Sequence, residues 1–168
     1  NAGFHAAFAS VVPAGKRTFV GVDVSSSMEC SAVGIDLSCA QVSAGVAMTI
    51  ARGEPASMIR GFTCADRYSY GNTELTDLGI SAGTDLSTAM GRVRSRNFGG
   101  TDCALPMMWA AKNKVEVDTF VVITDNETWA GKIHPFQALK QSRNEMGINA
   151  RLAVFGVAAN DFTIADPS

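Results

Sequence analysis

Two segments of this chain are apolar almost throughout, and each stops at an aspartate. Thr18 to Val24 reads TFVGVDV, with Asp23 as its one charge, and Phe120 to Thr124 reads FVVIT immediately before Asp125. A strand with one wet face alternates apolar and polar residues. A continuous apolar run must be covered on both faces, which is the condition of strands inside a parallel sheet layered with helices. Any fold for this chain has to bury both runs and still find a use for the carboxylates at their ends.

The intervening sequence supplies the covering helices. Val42, Val46 and Ile50 recur at helical spacing in a segment that ends at Gly53 before Pro55, with Asp36 as its expected cap. Asp85 opens a second helix through Leu86, Met90 and Val93 that runs out at Asn97. Ala104 to Lys114 forms a third that tolerates Pro106 in its first turn, and Pro135 to Met146 a fourth. Further strands are expected at Ser57–Thr63, Leu152–Val157 and, more weakly, Leu75–Ser81, the last paired through a turn at residues 68–72. Strands alternating with helices make right-handed βαβ units. The expected fold class is therefore α/β: a doubly wound, mostly parallel sheet flanked by helices, Rossmann-like, with one antiparallel edge strand. A lead-in over residues 1–17, closed by the turn signal Pro13-Ala14-Gly15, precedes one domain over 18–168.

Composition narrows the partners. With 14 Lys and Arg against 16 Asp and Glu, the formal net charge of −2 gives no general attraction to nucleic acid or anionic membrane. No apolar run approaches the roughly 20 residues of a membrane helix. The four cysteines, Cys30, Cys39, Cys64 and Cys103, show no CxxC pair and no disulfide-scaffold density. They read as free thiols of a reducing compartment, and a cytoplasmic location, also nuclear, is expected.

In an open parallel sheet, ligands bind beyond the carboxyl ends of the strands. The unusual oxygens of this sequence fall there. Asp23, Ser25 and Ser27 alternate, so in extended backbone they point the same way. Thr101 follows the flexible pair Gly99-Gly100, and Asp125 ends the other core strand. An all-oxygen set suits one hard divalent cation, Mg²⁺ first, with Mn²⁺ or Ca²⁺ as alternatives. Three of its five members are neutral hydroxyls, which would leave the ion electron-poor and a position open to a carboxylate from outside. Asp102 reads as the cap of the helix after it, and Glu127 as a solvated loop charge. His5 and His134 are assigned to surface or helix-start roles, Trp109 to the core and Trp129 to loop packing. Arg92, Arg94, Arg96, Lys112 and Lys114 read as a solvated face.

The order Asp-x-Ser-x-Ser, then Thr, then Asp at the end of a later strand, resembles the metal-ion-dependent adhesion site of von Willebrand factor A domains. The resemblance implies a metal set of Asp23, Ser25, Ser27, Thr101 and Asp125, the hydroxyls ligating directly and one or both aspartates through water. Five stretches are similar, more narrowly, to the A domain of the Ro (SS-A) autoantigens of the TROVE family. They are Gly15-Lys16-Arg17, Val22 to Met28, Gly99 to Cys103, Thr124 to Thr128 and Phe162 to Pro167. Members of that family join such a domain to a ring of helical repeats that binds Y RNAs and misfolded RNAs. By this resemblance noncoding RNA contacts chiefly a part absent from this chain, and the A domain stops short of its last helix.

The function expected is a metal-dependent binding module of a ribonucleoprotein that presents an open cation site to an acidic protein or other anionic ligand, with no catalytic residues and no membrane partner. The alternatives are a Mg²⁺-dependent phosphohydrolase and direct RNA binding. The phosphohydrolase usually needs a second carboxylate two residues after the first, where this chain has Ser25. Serine hydrolase, P-loop and dinucleotide motifs are missing.

Overall fold

The computed structural model describes residues 11–32, 34–63, 75–94, 100–125 and 131–158. Five strands form one sheet in the order β3-β2-β1-β4-β5: β1 Thr18–Asp23, β2 Ser57–Phe62, β3 Thr76–Asp77, β4 Thr119–Thr124 and β5 Arg151–Gly156. β1 pairs in parallel with β2 and β4, β5 in parallel with β4, and the short β3 antiparallel to β2. The doubly wound architecture and its antiparallel edge strand follow the expectation, although β3 shrinks to two residues. The turn expected at 68–72 lies outside the described residues.

The apolar runs are buried on both faces because successive residues enter different cores. Val20, Val22, Val24, Val121 and Ile123 pack with α1 (Cys39–Gly53) and α2 (Leu86–Arg94). Phe19, Phe120 and Val122 pack with α3 (Leu105–Lys112) and α4 (Pro135–Met146). Burying each large side chain contributes about 1.5–3 kcal/mol, and the two runs supply such side chains to both cores.

Three helix starts are set by local chemistry. Ser38, not Asp36, caps α1: its side chain accepts the Gln41 N–H, and the Gln41 side chain returns to the Ser38 N–H. Ala40, Ala44, Ala47 and Met48 form its fully buried face, and the larger Val42, Val46 and Ile50 flank them half-buried. Asp85 caps α2 as expected, accepting from Thr88 N at 3.0 Å and Thr88 Oγ1 at 2.6 Å. His134 Nδ1 accepts the Phe136 N–H at the head of α4. Residues 95–99 lie outside the described residues.

At the opposite end of the sheet, Arg17 is held by Asp118, whose carboxylate takes the Arg17 backbone N–H and two guanidinium nitrogens. The guanidinium holds the Asp118 carboxyl well below the usual carboxylate range. The end of the lead-in is anchored too: the N–H groups of Ala14, Gly15 and Lys16 all point to the Glu54 carboxylate just after α1.

Gly21, in the middle of β1, fixes how closely α3 can lie. A Cβ at that position would come 2.6 Å from Cγ of Pro106 and 3.3 Å from the Phe62 ring. The start of α3 therefore rests on bare strand backbone, and the loop before it is brought to the carboxyl edge of the sheet. Gly21→Ala should push Pro106 away and cost about 1–3 kcal/mol by overpacking. Urea unfolding followed by tryptophan fluorescence should show a lower midpoint; an unchanged midpoint would mean that α3 is free to shift.

Candidate functional site

β1 ends at Asp23, whose carboxylate is fully buried. Its two oxygens are used separately. Oδ1 accepts the Ser25 N–H at 2.9 Å, which folds the chain back over the strand end, and Oδ2 accepts the Thr124 hydroxyl at 2.8 Å from the last residue of β4. The intervening Val24 still donates to Phe62 O of β2 at 3.1 Å, so the sheet carries the backbone right up to the turn. A single 3-10 turn, Ser26–Glu29, follows, anchored by the buried Met28.

That turn sorts the three serines. Ser26 is exposed, Ser25 is buried and Ser27 half-buried, and the hydroxyls of Ser25 and Ser27 lie 3.0 Å apart. The two hydroxyls meet through the 3-10 turn and not through the extended backbone expected from the alternation. Asp125, buried directly after β4, is close enough for its charge to act on Asp23.

Thr101 and Asp102 are both buried in the loop before α3. The loop is held at two points. Thr63, just past β2, donates to Gly100 O at 3.4 Å, and the Asp102 carboxylate lies so close to Gly131 that a Cβ there would come 2.6 Å from it. Gly131, at φ +102°, is thus required to be glycine on both conformational and steric grounds. Asp102 accepts the Ala104 N–H at 2.9 Å, two residues ahead, while Ala104 itself occupies the cap position. It works as a helix-start acceptor two residues before the cap position, not as the cap itself. Asp23, Ser25, Ser27 and Asp125 gather around the ends of β1 and β4, and Thr101 belongs to the loop held beside β2.

Burial governs the carboxyls of this edge. Burial pushes the Asp23 carboxyl up to about 6, against the pull of its hydrogen bonds from Ser25 and Thr124, and the neighbouring Asp125 charge adds to the rise. Burial also raises Asp102, offset by the Ala104 N–H. Among the described residues no basic side chain pairs with Asp23. Nor do three His, Cys, Asp or Glu side chains gather into a metal group; the donors here are mixed carboxylates and hydroxyls, as a hard cation prefers. The residues present fit such an ion: two buried carboxylates at adjacent strand ends and two converging hydroxyls.

Thr124 was not anticipated. The signal is a hydroxyl at the last place of an otherwise apolar strand, where its side chain reaches the neighbouring strand's carboxylate. Cys103 is a buried free thiol. Trp109 is half-buried against Phe19, with the Arg60 guanidinium 5.0 Å from its ring centre. Arg94 pairs with Glu29 at 3.1 Å and Arg92 reaches Gly79 O. Both sit on α2, across the sheet from Lys112 on α3, so these cations make no single patch. His5, Arg96, Glu127 and Trp129 lie outside the described residues.

Residues 17–168 match the family model of the Ro60 vWA domain. The curated "RNA-binding protein RO60" of Deinococcus radiodurans is 42% identical over 166 residues, covering 98% of this chain and 30% of that protein. Its namesake in Caenorhabditis elegans is 38% identical over 168 residues, 99% of this chain and 25% of that protein. The chain thus spans less than a third of either relative. The crystal structure of the D. radiodurans RO (RSR) protein superposes with a TM-score of 0.83 at 42% identity, over 96% of this chain and 31% of that one. An aerotolerance-related membrane protein from Bacteroides fragilis NCTC 9343 shares the fold, with a TM-score of 0.55 at 20% identity over 89% of this chain and 76% of that one.

The buried Asp23 carboxyl gives a signed prediction for the cation-free protein. Its native value near 6 lies above the unfolded value near 3.9, so the stability it contributes is fully present below about pH 3.9 and is lost as pH rises through about 6. The loss is on the order of 3 kcal/mol. Asp23→Asn keeps the shape without the charge: its Oδ1 can still accept the Ser25 N–H, and its amide nitrogen donates to the Thr124 oxygen in place of accepting from it. In EDTA at pH 7.5 it should melt higher than the parent, and the two should converge near pH 4. A variant that melts lower at pH 7.5 would show that the ionised carboxylate is itself stabilising.

Proposed function

The chain belongs to the Ro60 von Willebrand factor A domain family, and from that footing we propose that it is a cation-dependent binding module, not an enzyme. The observation that carries the reading is the buried carboxylate of Asp23 beside the paired hydroxyls of Ser25 and Ser27. Ser25, Ser27 and Thr101 would supply hydroxyl oxygens to one Mg²⁺, and Asp23 and Asp125 their carboxylates. When bound, the ion would supply a Lewis-acidic position for a carboxylate or similar anion of a partner.

The chain's own groups prepare that position. Thr124 and the Ser25 N–H fix the two oxygens of Asp23, and the turn at Ser26–Glu29 fixes the spacing of the serine hydroxyls. Position 25, where a phosphohydrolase usually carries its second carboxylate, is serine, which favours binding over hydrolysis. Since the relatives are named RNA-binding proteins and this chain covers 30% and 25% of them, we assign RNA contact chiefly to the remainder. The separation of Arg92 and Arg94 from Lys112 across the sheet supports that division.

Isothermal titration of the EDTA-stripped chain with Mg²⁺ and Mn²⁺, in buffer free of carboxylates, tests the reading. Saturable binding of about one ion per chain is expected, lost in Thr101→Ala and in Asp125→Asn. Because protons compete for Asp23, apparent affinity should fall as pH drops below about 6. A folded chain that binds no ion, yet binds RNA with steep salt dependence, would favour the direct RNA reading instead.

A further inference from the structure

Two cysteines nine positions apart meet at the edge of the site turn, with Cys30 Sγ 3.3 Å from Cys39 Sγ. The backbone holds them in place. Cys39 N donates to Cys30 O at 2.9 Å and Ala32 N to Leu37 O at 2.8 Å, and Ser31 and Ser38 form an antiparallel bridge between them. The segment from Cys30 to Cys39 is therefore a small closed loop with the two thiols at its neck. One end is fixed to the candidate site, since Cys30 N donates to Ser27 O at 3.0 Å. The other is the first residue of α1.

The two thiols are not equivalent. Cys30 is exposed, whereas Cys39 is buried, its Sγ 3.6 Å from Val157 O at the end of β5. An accessible sulfur beside a protected one is the arrangement of an attacking and a resolving thiol. In chains of reducing compartments, disulfides that do form are usually transient and redox-sensing.

We propose that Cys30 and Cys39 are a dithiol site that peroxide oxidises reversibly to an intrachain disulfide. Cys30 sulfur attacks one oxygen of hydrogen peroxide; the O–O bond breaks, and the departing hydroxide leaves as water with the thiol proton. Cys30 is then a sulfenic acid. Cys39 sulfur attacks Cys30 sulfur, the S–S bond forms, the S–O bond breaks, and the second hydroxide leaves as water with the Cys39 proton. Overall two thiols give up two electrons and two protons, and one peroxide becomes two waters. Cys30 is exposed and Cys39 is buried, which makes Cys30 the first to meet peroxide. Contracting the pair to a bond of about 2.05 Å asks for a shift of roughly 1 Å, which the exposed Cys30 can make. The disulfide fastens the end of the turn carrying Ser27 to the head of α1. None of this depends on a bound cation.

The test is treatment of the folded chain with hydrogen peroxide in cation-free buffer, then alkylation of remaining thiols, tryptic digestion and mass spectrometry. Both cysteines fall in the peptide Thr18 to Arg52. That peptide should appear unalkylated and about 2 Da lighter, and dithiothreitol should restore two alkylatable thiols. In Cys30→Ser, an exposed and hence fold-neutral change, Cys39 should remain reduced at the same peroxide dose. Conversion of Cys30 to sulfinic acid with Cys39 still alkylatable would overturn the proposal. So would a cross-link that appears only after unfolding in urea.

Discussion

One buried carboxylate organises the carboxyl edge of this sheet. Asp23 sits at the end of the central strand, and its oxygens take the Ser25 N–H on one side and the Thr124 hydroxyl on the other. These two bonds turn the chain after β1 and tie β1 to β4 where both strands end. They also leave an ionisable group fully buried with no basic partner among the described residues. Charge-assisted hydrogen bonds offset part of the desolvation, but the carboxyl still rises to about 6. A fold that keeps such a group accepts instability at neutral pH unless a cation arrives, and that is the physical reason for reading the edge as a cation site.

The remaining structure holds this edge in place. Two cores clamp β1 and β4 from both faces, and Gly21 lets Pro106 sit against bare backbone, so that α3 brings Thr101 and Asp102 to the strand ends. Gly131 clears the space that the Asp102 carboxylate fills. At the far end Asp118 holds Arg17, and Glu54 holds the backbone leading into β1. The site loops thus stand on rigid supports at several points, as binding loops on an α/β scaffold commonly do.

Much of this was legible in the residues. The apolar runs at Thr18–Val24 and Phe120–Thr124 became β1 and β4 because period and composition speak clearly where a strand is covered on both faces. Pro135 and Met146 bounded α4 as read. Where local signals competed, either a second local signal or strand pairing decided. Asp36 and Ser38 are both good caps, and only Ser38 has Gln41 three residues on. Leu75–Ser81 has the composition of a strand, yet only Thr76 and Asp77 find a partner on β2. Within the site, Asp23, Ser25 and Ser27 stood out by residue type, but the serine hydroxyls meet through a 3-10 turn that the alternation did not announce. The reach of Thr124 across to Asp23 and the meeting of Cys30 with Cys39 depend on strand pairing and loop closure, which no local pattern reports.

The proposed cation site is open to direct observation. Crystals of the chain grown in EDTA and soaked in Mn²⁺ should give one anomalous difference peak within coordination distance, on the order of 2.1 Å, of the Ser25 and Ser27 hydroxyls, with Thr101 in the same shell. A peak placed elsewhere, or none at saturating Mn²⁺ with the loop ordered as here, would contradict the account and leave Asp23 a structural carboxylate.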